Sequence, residues 1–157
     1  MSENRASHAV VGSTDSVQYE PLILIEHHDG SMRELMHNLF KYWGFANVHL
    51  AGDHAETIAI AEARRCDLIV LDSVNPDGAG DETIARIKDA YADVGGLPII
   101  VISTSTLASE DRFMAAGADA FIMGPFRIED LWAVVHRLLH RNDNLEREQS
   151  RNVGLST

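Results

Sequence analysis

The sequence predicts an α/β fold, a doubly wound, five-stranded parallel sheet with helices on both faces. Three observations carry this prediction. Five short apolar runs alternate with segments of helical periodicity. Within each run the apolar residues are continuous, which is typical of strands buried on both faces. The chain has 157 residues, which suits one domain of ordinary size.

The predicted strands are bounded by turn-forming or polar residues. The third run ends directly on Asp72, and Pro98 opens the fourth. Because helical segments fill the connections, right-handed crossovers favour the flavodoxin-like strand order 2-1-3-4-5. In chain order the strands are Leu22–Ile25, Val48–Ala51, Leu68–Leu71, Ile99–Ile102 and Ala120–Met123.

Five segments with helical spacing follow these strands. Gly44 closes the apolar stripe of the first helix at its C-cap position. Asp53 with Glu56 forms a start like a capping box for the second, alanine-rich helix. Gly117 ends the fourth helix. The predicted helices are Met32–Trp43, Asp53–Arg65, Ile84–Tyr91, Glu110–Ala116 and Ile128–Leu139.

The composition limits the classes of partner and the cellular compartments that we expect for this protein. Lys and Arg number 13 against 24 Asp and Glu, a net charge of −11, which argues against nucleic acid as a partner. No apolar run approaches the ~20 residues of a membrane span, and the polar N-terminus does not resemble a signal peptide. The single Cys66 favours a reducing compartment. We therefore expect a cytoplasmic domain at residues 21–141, between a flexible leader (1–20) and a flexible polar tail (142–157), with no membrane partner.

Ligand sites in this architecture lie beyond the carboxyl ends of the strands. The segments around these ends, in their order and spacing, resemble the receiver domains of response regulators, the CheY-like proteins of two-component signalling. The resemblance covers nearly all of residues 21–141. The segments that carry it are Ser31-Met32-Arg33, Asp67–Asp72, Asn75-Pro76, Pro98–Ser103, Ala116–Asp119 and Pro125-Phe126.

The resemblance implies that Asp72 accepts a phosphoryl group from a partner histidine kinase. Receivers hold Mg²⁺ beside this aspartate with two adjacent acids after the first strand. Counting back from Arg33, those two positions fall on His27 and His28. Because Mg²⁺ prefers oxygen ligands, the resulting pocket is degenerate and binds Mg²⁺ weakly at most. The alternative is a one-residue slip of the loop that brings Glu26 into the pocket.

The resemblance also identifies the other functional positions of a receiver. The hydroxyl after the fourth strand is Ser103, and the aromatic switch position in the fifth strand is Phe121. The lysine that receivers use to contact the phosphoryl group falls on Gly124. Loss of this lysine removes a charge-assisted contact of about 1.5–3 kcal/mol. The Gly124-Pro125 bond matches a cis bond of receivers.

Three functional hypotheses follow. The first is a stand-alone receiver in a phosphorelay, phosphorylated at Asp72 and acting by protein–protein docking. The second is a phosphate-independent pseudo-receiver that docks in the same way. The third is a metal- or pH-responsive variant using His27, His28 and Asp72, since neutral imidazole suits Zn²⁺ or Cu²⁺ and titrates near neutrality. Ser103 is the only candidate catalytic group predicted beside Asp72. We therefore expect no enzymatic activity beyond weak self-dephosphorylation.

The expected partners are a histidine kinase or phosphotransfer protein and a downstream target protein. Receivers commonly bind partners through the fourth helix, fifth strand and fifth helix, which correspond to residues 110–141 here. Within this surface we expect Arg112, Arg127 and Trp132 to be exposed anchors. The same surface allows a homodimer.

Overall fold

The sheet of the computed structural model is parallel throughout, with the predicted strand order 2-1-3-4-5. The structure describes residues 20–74 and 80–154, with residues 142–154 as backbone. The leader apart from Glu20, and Asn75-Pro76, lie outside the described residues. The strands are β1 (Leu22–Glu26), β2 (Asn47–Ala51), β3 (Leu68–Asp72), β4 (Ile99–Ser103) and β5 (Ala120–Met123).

The helices follow the predicted alternation with strands. A short 3-10 turn, Ala92–Val94, precedes β4. No helix in the described part of the chain is long and apolar enough to cross a membrane. The α-helices described are α1 (Gly30–Tyr42), α2 (His54–Ala63), α3 (Gly80–Ala90), α4 (Glu110–Ala116) and α5 (Ile128–Gly154).

Four helices differ from their predicted extent or packing. The helix α3 begins at Gly80, four residues before the predicted Ile84, and α2 ends at Ala63, two residues before Arg65. The backbone of α5 continues to Gly154, through residues assigned to the tail, because Leu145-Glu146-Arg147-Glu148 is a run of good helix formers. The stripe of α1 is buried only at Met36 and Phe40, whereas Met32 and Leu35 are exposed.

The two faces of the sheet carry separate hydrophobic cores, as a doubly wound fold requires. Successive residues of each strand alternate between them: Leu22 and Leu24 pack on the face covered by α2, α3 and α4, and Ile23 and Ile25 on the face covered by α1 and α5. The core strands are therefore buried on both sides, which explains their continuous apolar runs.

Tyr91 joins α3 to the end of α2 through its buried hydroxyl. The hydroxyl oxygen lies 2.6 Å from the carbonyl oxygen of Ala61 and 2.7 Å from that of Arg64. It also accepts a hydrogen bond of 3.1 Å from the backbone N–H of Cys66. Burial raises the pKa of the Cys66 thiol to about 11, so this cysteine is a packing residue.

We expect Tyr91→Phe to lower the free energy of unfolding by about 1–3 kcal/mol, because it leaves the buried N–H of Cys66 without its acceptor. Urea denaturation measures the change. Tyr42→Phe is the matched control, since Tyr42 is 86% exposed and should change stability little. Equal effects of the two substitutions would contradict the role assigned to Tyr91.

Candidate functional site

The candidate site lies where β1 and β3 end side by side. β1 pairs with β3 in parallel, and Glu26 is level with Leu71. His27 and His28 therefore leave β1 next to Asp72, the last residue of β3. The carboxylate of Asp72 is 7% exposed, so the site is a pocket with a buried acid at its base.

The two histidines both approach one oxygen of Asp72. His28 Nδ1 lies 2.7 Å from Asp72 Oδ2, and His27 Nε2 lies 3.5 Å from the same atom. The imidazole rings are stacked, with centroids 4.9 Å apart and planes inclined by 19°. The backbone N–H of Val74 donates to the other oxygen, Oδ1, at 3.2 Å. The structure thus brings together the predicted group of His27, His28 and Asp72.

The hydrogen-bond pattern assigns a different tautomer to each neutral ring. The backbone N–H of Asp29 donates to His27 Nδ1 at 3.0 Å, so Nδ1 carries a lone pair and Nε2 the proton. A carboxylate only accepts hydrogen bonds, so His28 places its proton on Nδ1, next to Asp72. The lone pair of His28 is then on Nε2, on the other side of the ring.

These residues do not fit Mg²⁺. Their candidate ligand atoms lie within 4.8 Å of one another, but two are imidazole nitrogens, whereas Mg²⁺ demands an octahedron of oxygens at about 2.0–2.1 Å. Softer metals accept imidazole, but a ligating ring normally donates its second N–H to a neighbour. His27 does the opposite, because its Nδ1 accepts the Asp29 N–H.

Glu26 does not enter the pocket, which rules out the slipped loop. It is completely buried on the α2 side of the sheet, where His54 Nδ1 lies 2.9 Å from its Oε1. The hydroxyl of Thr57 donates to the same carboxylate. Sequence reasoning missed this buried cluster; its only signal was an acidic residue at the end of an otherwise apolar run.

Ser103, the predicted phosphate contact, is buried and already fully hydrogen-bonded. Its Oγ accepts from Ser73 Oγ at 2.6 Å and from the backbone N–H of Ser105 at 3.1 Å. It donates to the carbonyl oxygen of Ser105 at 3.2 Å. None of the hydrogen bonds described for Ser103 reaches Asp72. A phosphoryl group would have to displace part of this network.

The two remaining switch positions serve packing and loop closure. Phe121 is half-buried and stacks on Phe113, with centroids 5.9 Å apart. The peptide bond between Gly124 and Pro125 is cis, and the N–H of Gly124 donates to the carbonyl oxygen of Ser103 at 2.6 Å. A Cβ atom at Gly124 would lie 3.3 Å from Thr104 Cγ2, a tight but adjustable contact.

The three predicted anchors differ in how freely they face solvent. Arg127 is exposed, and its Nε lies 3.7 Å from Oε2 of Glu129. Arg112 is also exposed, but its guanidinium forms two hydrogen bonds with Asp81 and holds the pKa of that carboxyl below its usual value. Trp132 is 37% exposed, and its indole packs 5.1 Å from the ring of Trp43.

Comparisons with known proteins identify the family to which the chain belongs. The family described as "Response regulator receiver domain" matches residues 23–136. The chain is 31% identical over 121 residues to "Probable transcriptional regulatory protein TcrX" of Mycobacterium tuberculosis, covering 76% of this chain and 50% of that protein. It is 30% identical over 135 residues to "Response regulator MprA" of Mycobacterium ulcerans, covering 85% and 56%. The chain thus spans about half the length of these relatives.

Superposition on solved structures shows that the chain has the fold of a receiver domain. A CheY-like receiver domain from Methanospirillum hungatei superposes with a TM-score of 0.71 at 24% identity, covering 80% of this chain and 98% of that one. The chemotaxis protein CheY4 of Vibrio cholerae superposes with a TM-score of 0.67 at 25% identity, covering 77% and 100%.

We expect nuclear magnetic resonance of the imidazole nitrogens to find His27 protonated on Nε2 and His28 on Nδ1 when both rings are neutral. The Asp72→Ala variant should lose the Nδ1 preference of His28, because the acceptor is gone, and leave that of His27 intact. The exposed His136 serves as an internal control. His28 protonated on Nε2 in the unaltered protein would contradict the geometry.

Proposed function

Because the chain belongs to the response-regulator receiver family, whose members act in two-component signalling, we propose that it transmits its signal by docking onto partner proteins without Mg²⁺-dependent phosphorylation of Asp72. One observation carries the proposal: two imidazoles occupy the positions of the metal-binding acids and hold the Asp72 carboxylate. In this role the chain is a binding module and not an enzyme.

The electrostatics of the pocket support this proposal. Transfer of a phosphoryl group to a carboxylate requires positive charge around the three phosphoryl oxygens. Here His27 and His28 are poor ligands for the hard cation that supplies such charge, and Gly124 stands where receivers have a lysine. Asp72 retains the acceptor position of the family, but without the groups that make its phosphorylation efficient.

The surface of α4, β5 and α5 is the proposed docking face. Besides Arg112 and Arg127, these three elements expose four large apolar side chains that a bound partner would cover. We propose that this face binds a histidine kinase or phosphotransfer protein and a downstream target protein. A second copy of the chain is a further proposed partner, and the cytoplasm is the proposed location. The exposed apolar side chains are Met114, Met123, Ile128 and Trp132.

A metal-responsive role for His27, His28 and Asp72 is the second candidate, supported by the closeness of their three ligand atoms. It requires the bond from the Asp29 N–H to His27 to break, so that His27 can change tautomer. Zn²⁺ titration of the nuclear magnetic resonance sample tests it: saturable shifts confined to these three residues would favour this candidate over the docking proposal.

We expect Mg²⁺ followed by beryllofluoride, a mimic of aspartyl phosphate, to produce no saturable amide shifts at Asp72 or Ser103. In the triple variant His27→Asp, His28→Asp, Gly124→Lys, the same titration should produce shifts that spread to Phe121, because oxygen ligands and the cation are restored. Adding Asp72→Ala to that variant is the control and should abolish them. Saturable shifts in the unaltered protein would refute the proposal that Asp72 is not a Mg²⁺-dependent acceptor.

We expect the protein to dimerise reversibly through the docking face and Ile128→Asp to weaken the dimer at least about tenfold, because it places a charge among apolar side chains. Sedimentation equilibrium measures the dissociation constant. Val94→Asp is the matched control: Val94 is equally exposed but lies outside this face. An unaltered protein that stays monomeric at every concentration would contradict the homodimer.

A further inference from the structure

We propose that His28 is a phosphoryl-acceptor residue, which takes the group on Nε2 from an N-phosphoryl donor such as the phosphohistidine of a partner protein. Asp72 is then the positioning residue for the ring. This inference goes beyond the docking role, because it assigns a covalent modification to a position where receivers carry a metal-binding acid. It starts from the 2.7 Å contact between His28 Nδ1 and Asp72 Oδ2.

The contact has the form of a carboxylate–imidazole pair in which the acid orients the base. Because Asp72 accepts the Nδ1 proton, the lone pair of His28 is held on Nε2, and the carboxylate stabilises positive charge that develops on the ring. The His28 side chain is 40% exposed, whereas that of Asp72 is 7% exposed. The accessible part of the pair is therefore the imidazole.

His27 is excluded from the same role by its hydrogen bonds. Its Nδ1 accepts the backbone N–H of Asp29, and its protonated Nε2 faces Asp72. Its ring, stacked on that of His28, restricts the rotation of the acceptor. Among the described residues of the pocket, His28 Nε2 is thus the imidazole nitrogen whose lone pair is not already used by a hydrogen bond.

Charges of both signs surround His28. His28 lies two residues before Gly30, where α1 begins, and helix N-termini stabilise negative charge. The acid at the N-cap, Asp29, stays ionised because the backbone N–H of Met32 holds the pKa of its carboxyl below the usual value, and this negative charge opposes an anionic product. The guanidinium of Arg33 donates to the carbonyl oxygen of His27 at 2.7 Å and supplies a cation to the same loop.

The transfer balances without a metal or an oxidant. The Nε2 lone pair attacks phosphorus, an N–P bond forms to His28, and the N–P bond of the donor breaks. With phosphoramidate, the leaving nitrogen departs as ammonia; with phosphohistidine, the donor imidazole leaves with the electron pair and takes a proton from water. The Nδ1 proton of His28 stays shared with Asp72.

The test is incubation of the full chain with phosphoramidate in the presence of EDTA, followed by intact-mass measurement. We expect one added phosphoryl group that survives alkali but is lost in mild acid, as for phosphohistidine, whereas an aspartyl phosphate is lost in both. His28→Gln should abolish it, and His136→Gln, which changes an exposed histidine on α5, should retain it. Asp72→Asn should slow it about tenfold, through loss of a charge-assisted hydrogen bond, and alter the His28 tautomer spectrum.

The chemical lability of the group in the unaltered protein keeps the test decisive even if a variant folds poorly. An alkali-labile group that Asp72→Asn abolishes would make Asp72 the acceptor and overturn the inference. No incorporation, or an acid-labile group that persists in His28→Gln, would overturn it as well. Neither of these last two results bears on the docking proposal. The Mg²⁺–beryllofluoride titration and the Ile128→Asp variant of the docking face test that proposal separately.

Discussion

Parallel pairing of β1 with β3 is the constraint on which the site depends. Because Glu26 is level with Leu71, the residues that follow β1 meet Asp72 at the same edge of the sheet. The pairing of β3 with β4 aligns Asp72 with Ile102 and brings Ser73 to Ser103 in the same way. The buried apolar strands determine this register, so the chemistry at the edge can change while the scaffold stays as it is.

Two buried carboxylates at this edge are each paired with an imidazole. Asp72 meets His28 in the pocket, and Glu26 meets His54 on the α2 side. Burying a carboxylate is costly unless it is hydrogen-bonded, and in both cases N–H donors from histidine contribute to this compensation. The family fold thus accommodates two buried carboxylates that are hydrogen-bonded to histidine side chains.

The sequence predicted the elements well because each carried a local signal. Continuous apolar runs indicated the strands, and Asp53 and Gly117 marked helix ends that the structure has within one residue. The group of His27, His28 and Asp72 was predictable because a topology rule places the ends of β1 and β3 together. The pairing of Glu26 with His54 was not, since 28 residues separate them and the signals near Asp53 indicate only a helix start. The Ser103 hydroxyl uses its hydrogen-bonding capacity on residues of the neighbouring loops. The spacing of apolar residues in the sequence carries no information about the conformation of those loops.

The length of α5 has a mechanical consequence. Its 27 residues span about 40 Å at 1.5 Å per residue, whereas each strand of the sheet has at most five residues and spans about 17 Å. Because displacement grows with distance from the point of rotation, a small rotation at the start of a helix of this length moves its last residue farther than the residues that cover the sheet. Since each residue turns the helix by about 100°, the direction in which anything attached there points depends on helical phase, and a single inserted residue would redirect it.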